Sequence, residues 1–75
     1  MSRLEDTGLN RQALGELIDK WIFNERDRAI LKRRLLDGIR YEPLAEEFNL
    51  SVRQVKKIVY HGEDKVLTKI EPWMI

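Results

Sequence analysis

Apolar residues recur along the chain at intervals of three and four, the period of helices that bury one face. Leu14, Leu17, Ile18 and Trp21 form the first stripe, which predicts a helix from Arg11 to Ile22 with Asn10 as its cap. Residues 1–9 have no periodicity and read as a loose lead-in. A second helix follows Asn24, another capping residue. Glu25 and Asp27 suit its positive end, Lys32, Arg33 and Arg34 suit its negative end, and Ile30, Leu31 and Leu35 form its inner face. Gly38 stands where a left-handed closing residue is wanted.

The last stripe is long. At about 100° per residue, Val55, Ile58, Val59, Gly62, Val66 and Ile70 share one direction, and Pro72 is expected to stop the helix. Residues 71–75 then form an apolar tail, with Trp73, Met74 and Ile75 folding back on the core or joining a partner subunit. Gly62 lies inside the stripe, where glycine costs roughly 1 kcal/mol relative to alanine. Either another helix crosses closely there, or the helix breaks there and a separate tail helix begins. Trp21, Phe23 and Trp73 are expected in the core or at its edge.

Between these elements lies the stretch from Arg40 to His61. It predicts a short helix over about Glu42 to Phe48, with Pro43 in the opening turn, where a missing N–H costs nothing. Asn49 tolerates the left-handed conformation that ends a helix. Leu50 fills the corner, and Ser51 has the side chain to cap the next helix. Leu44, Phe48, Leu50, Val55 and Ile58 would point into the angle between the two helices, with small Ala45 at their closest approach. The pattern, over residues 41–60, is that of a helix-turn-helix.

The run Leu35-Leu36-Asp37-Gly38-Ile39-Arg40-Tyr41-Glu42-Pro43-Leu44-Ala45-Glu46-Glu47-Phe48-Asn49-Leu50-Ser51, with Val55, Lys56 and Ile58 behind it, resembles region four of bacterial sigma factors. The resemblance extends over roughly residues 24–70. It implies a winged-helix-like, promoter-reading module whose second helix enters the major groove, in a small bacterial or phage regulator. Transposases, phage regulators and two-component effectors carry similar modules, so the fold is implied more specifically than the role. Pro43 and Asn49 stand where the family usually has an acid and a glycine. No stretch resembles the polymerase-binding or melting regions, so a complete initiation factor is not expected.

Composition narrows the classes. Seventy-five residues make one small domain, and 36% charged with 43% apolar residues suits an all-α globule. The expected fold is a small orthogonal bundle of four to five helices containing the helix-turn-helix. There is no cysteine, hence no disulfide or thiolate metal site. No apolar run has the length of a signal peptide or membrane span, which points to the cytoplasm and away from a membrane. Net charge is only +1, but its distribution is uneven. From Asn24 to His61, nine basic residues oppose six acids, and Ser51 to His61 carries three cations and no acid.

Arg53, Lys57, Tyr60, His61 and Asp64 face away from the core stripe, flanked by Gln54 and Lys56. Arg and Lys donate to guanine, Gln pairs with adenine, and Val meets a thymine methyl, so Val52, Arg53, Gln54 and Lys57 are the candidate base contacts. Arg33, Arg40, Tyr41, Ser51, Lys56, Tyr60 and His61 are the candidate phosphate contacts. An ordinary solvated helix face would carry similar residues, and Arg33 and Arg34 could equally pair with Asp37, Glu46 or Glu47. His61 is the only histidine, so no metal site and no cofactor are expected. The acids do not converge as a catalytic pair would, Ser51 has no base beside it, and there is no phosphate loop, so no enzyme is expected. The expected partner is double-stranded DNA, with a second copy of the chain as a possible dimer partner. The competing function is a protein-interaction module that binds RNA polymerase, a sigma antagonist or another transcription factor without touching DNA.

Overall fold

The computed structural model describes the backbone of residues 8–74 and the side chains of residues 8–69. Among them are four helices and no strand: α1 (Arg11–Trp21), α2 (Glu25–Leu35), α3 (Tyr41–Glu47) and α4 (Val52–Met74). The expected boundaries shift by one residue. Ile22 is the C-cap of α1, Tyr41 opens α3, and Phe48 is its C-cap.

Local chemistry sets the helix starts. Asn10 Oδ1 accepts from the Ala13 N–H at 2.7 Å, and Asn24 Oδ1 from the Asp27 N–H at 3.0 Å. Each bond satisfies a donor with no partner inside its helix. Gly38 has the expected positive φ of 68° after α2, and the Ile39 N–H reaches back to the Arg33 carbonyl at 3.1 Å. Arg11 ties the far end of this turn to α1, donating to the Leu36 carbonyl and, at 2.6 Å, to Asp37 Oδ1.

Helix α4 packs against the other three, whereas α1 and α3 do not touch. Its 23 residues, at about 1.5 Å each, span most of the molecule's 38 Å long axis. The core is filled from every helix. Ile18, Ile30, Leu31, Leu44, Val55, Val59 and Val66 are fully buried, and Leu14, Ile22, Leu35 and Ala45 nearly so. Leu9 packs against this cluster, so the lead-in is anchored at its last residue. Residues 1–7 lie outside the described residues, as do the side chains of Ile70 and of the 71–75 tail.

Three expectations are settled or corrected. Helix α4 runs unbroken through Gly62, which is buried against Leu31 of α2, so the close-crossing reading holds. It does not stop at Pro72 but continues to Met74. Proline already has a helical φ, and its missing N–H removes a single bond in the last turn. Phe23 is not in the core but 73% exposed, because it falls in the connection between α1 and α2, outside both stripes. Trp21 is half-buried, at the core's edge.

Candidate nucleic-acid interface

The turn between α3 and α4 is built by backbone bonding. The Leu50 N–H donates to the Ala45 carbonyl at 2.8 Å and the Asn49 N–H to the Glu46 carbonyl at 3.3 Å, with Asn49 at φ 55°. This is the paired closure that a left-handed residue makes possible at a helix end. Ser51 Oγ then accepts from the Gln54 N–H at 3.1 Å, and Gln54 Oε1 accepts from the Ser51 N–H at 2.9 Å. The two side chains satisfy one another's backbone donors in a reciprocal capping box.

Buried Val55 and Val59 set the rotation of α4. Arg53, Gln54, Lys56, Lys57, Tyr60, His61 and Asp64 are all exposed as a result. Val52, Arg53, Lys56, Lys57 and Tyr60 line a shallow hollow of about 410 Å³. Gln54, Lys57 and His61 border a second groove, of about 450 Å³, on the other flank of the helix. Lys57 stands between the two.

Several predicted residues carry other duties. Half-buried Val52 packs partly on the core, and the amide oxygen of Gln54 belongs to the capping box. Arg33, expected at phosphate, is held by Glu47 at 2.7 Å. Arg40 is the exposed N-cap residue of α3 and makes no capping bond. Arg34 donates to the Ile39 carbonyl at 3.1 Å and covers the Tyr41 ring at 4.4 Å, while Lys56 lies 5.5 Å from the same ring. Tyr41 is half-buried, and its phenol is pushed above its usual pKa by burial and by its hydrogen bond with Tyr60, against the lowering effect of Arg34. Tyr60 is 50% exposed and presents the outer edge of this pair.

The other cations divide cleanly. Arg11 meets Asp37, Arg26 meets Asp27, and Lys32 meets Asp19 at 2.6 Å with Arg28 at 3.9 Å. Lys20 and Lys69 lie over the Trp21 ring, and Lys65 lies 4.7 Å from that of Phe23. Among the described residues, Arg40, Arg53 and Lys57 have neither an acid nor a ring against them. No group of three or more His, Asp or Glu side chains among the described residues could hold a metal ion. No helix among them is long and apolar enough to cross a membrane.

The groove on the second flank was missed from the sequence. Its floor is Ile22, Leu31, Leu50, Ile58 and Gly62, and exposed Phe23 forms one wall. The available signal was the position of Phe23, an aromatic residue after one helical stripe and immediately before the Asn24 cap of the next. No protein family, curated protein or solved structure matches the chain.

Proposed function

We propose that this chain is a double-stranded DNA-binding module, a small transcriptional regulator in which α3 and α4 act as a helix-turn-helix. The first turns of α4 enter the major groove with Val52, Arg53, Gln54 and Lys57 at the base edges. Arg40, Tyr41, Ser51, Lys56, Tyr60 and His61 reach the flanking phosphates. The observation that carries this reading is the distribution of counter-charge. Ion pairs and aromatic rings engage the cations of α1 and α2, yet Arg53 and Lys57, at the start of α4, have no acid beside them among the described residues. Unneutralised cations on a helix just after a tight turn suit a polyanion, which gains affinity by releasing its counterions. Gln54 contributes through its amide N–H₂, since its oxygen is used in the cap. Arg33 adds little while Glu47 holds it. A single module of this size makes few base contacts, so a second copy or a partner transcription protein supplies the remaining specificity. No catalytic role is proposed.

Fluorescence anisotropy of a labelled random-sequence duplex, at about 50 and 200 mM salt, tests the reading. Binding that falls steeply with salt and is weakened by Arg53→Ala with Lys57→Ala is the expected result. Absence of binding at low salt would refute it. A protein-interaction role without DNA contact would then be the better reading, and the exposure of Phe23 already favours some protein contact.

A further inference from the structure

We infer that the groove between the α1–α2 connection and α4 is a docking site for an acidic amphipathic segment of a partner protein. The groove has the size of a ligand site, about 450 Å³ within the usual range of roughly 300–1,000 Å³. Its floor is apolar, lined by half-buried Leu50 and Ile58 beside buried Ile22 and Leu31, and Leu31 closes it against Gly62. A phosphate backbone gains nothing from such a floor. Aliphatic or aromatic anchors on one face of a helix do.

The wall is presented rigidly. Phe23 is 73% exposed, on a connection held by the Asn24 cap and by Arg28, which donates to the Ile22 carbonyl at 3.4 Å. A large exposed aromatic at the lip of an apolar hollow is the usual form of an anchor point.

Charge selects the occupant. Lys57 and Lys65 stand on the rim with His61, and Asp27, the one acid lining the groove among the described residues, is paired with Arg26 at 3.1 Å. An occupant carrying carboxylates beside its apolar anchors is therefore favoured, and a basic one is repelled. Because Gln54, Lys57 and His61 also belong to the proposed DNA face, an occupied groove and a DNA-bound α4 exclude one another. That consequence rests on the DNA reading, whereas docking itself does not.

Selection from a random peptide library displayed on phage, against the folded chain, tests the inference. The expected outcome is enrichment of peptides that combine glutamate or aspartate with large apolar residues. Their synthetic forms should bind the protein directly and lose about tenfold or more in affinity to Phe23→Ser, a loss in the range of an interface anchor. Replacing the peptide acids with lysine should abolish binding. Phe23 is exposed, so Phe23→Ser should keep the wild-type circular dichroism and melting temperature. No enrichment, enrichment of basic or neutral peptides, or equal binding to Phe23→Ser would each overturn the inference. Direct peptide binding is read without DNA, so failure of the DNA reading leaves this result intact. Added to the anisotropy assay, the peptide should displace the duplex, and a ternary complex would refute mutual exclusion.

Discussion

The side chain of Leu31 occupies the space that a Cβ on Gly62 would need. Its Cδ2 and Cγ stand 2.8 and 2.9 Å from that position, with Cδ1 closer still. Helices α2 and α4 therefore meet at a separation that only glycine allows, and fully buried Leu31 has no solvent to retreat into.

Gly62→Ala should destabilise the fold even though alanine is the better helix former. The propensity gain is about 1 kcal/mol, and forcing a methyl against a packed leucine costs about 1–3 kcal/mol. Urea denaturation should show a net loss of about 1 kcal/mol. A smaller side chain at Leu31 should recover part of it, so Gly62→Ala and Leu31→Val should be non-additive in a double-mutant cycle. Unchanged or raised stability in Gly62→Ala would disprove the close crossing.

Ser51 and Gln54 separate folding from binding. Ser51→Ala removes the acceptor for the Gln54 N–H and should cost about 1 kcal/mol. Gln54→Glu keeps an oxygen for the Ser51 N–H and places a negative charge at a helix N-terminus, so stability should be unchanged or slightly higher. The same charge on the proposed DNA face should sharply reduce duplex affinity. A variant that melts like wild type and binds DNA equally well would remove Gln54 from that face.

Arg33 and Glu47 form a half-exposed pair, 44% and 41% accessible. Solvent screens such pairs, so Arg33→Ala and Glu47→Ala should each shift stability by no more than about 0.5 kcal/mol. Duplex affinity should change far less in Arg33→Ala than in Arg53→Ala. Equal losses would show that Arg33 leaves Glu47 for a phosphate.

Tyr41 makes stability fall in alkali. Burial and the Tyr60 hydrogen bond raise its folded pKa above the ordinary tyrosine value of about 10. The folded state therefore holds the phenolic proton more tightly than the unfolded one. This contribution is fully present below the unfolded pKa and is lost as pH rises through the folded pKa. Tyr41→Phe should show a shallower loss of urea stability than wild type between about pH 9 and pH 11. Identical profiles would remove Tyr41 as the cause.

Legibility followed the range of the interactions. Asn10, Asn24 and Ser51 were readable as caps because a cap needs only its own side chain and a donor two or three residues ahead. Asn49 and Gly38 were readable for the same reason, since a positive φ is a local demand that few residue types meet. Periodicity alone assigned Ile30, Leu31, Leu35, Val55, Val59 and Val66 to the interior.

Single residues at the ends of patterns were not legible. Pro72 reads as a stop, yet the loss of one hydrogen bond did not end the helix. Phe23 reads as core because it is large and apolar, but its place in the connection turns it outward. Glu63 is buried on α4 and engaged there, which no acidic residue in a charged run announces.

The sequence by itself determined the class of the protein: helical, four to five elements long, with a tight left-handed turn before the last helix and cations at that helix's start. Those features depend on residues within a turn or two of one another, where side-chain chemistry and helical period act without help from the rest of the chain. Tertiary structure alone decided which cations have partners. Arg33 meets Glu47 across fourteen positions, Arg11 meets Asp37 across twenty-six, and Arg53 meets no acid among the described residues. It also resolved the role of Gly62 and opened the groove beside Phe23. Each of these depends on surfaces far apart in the chain coming within a few ångströms, and no local pattern encodes that distance.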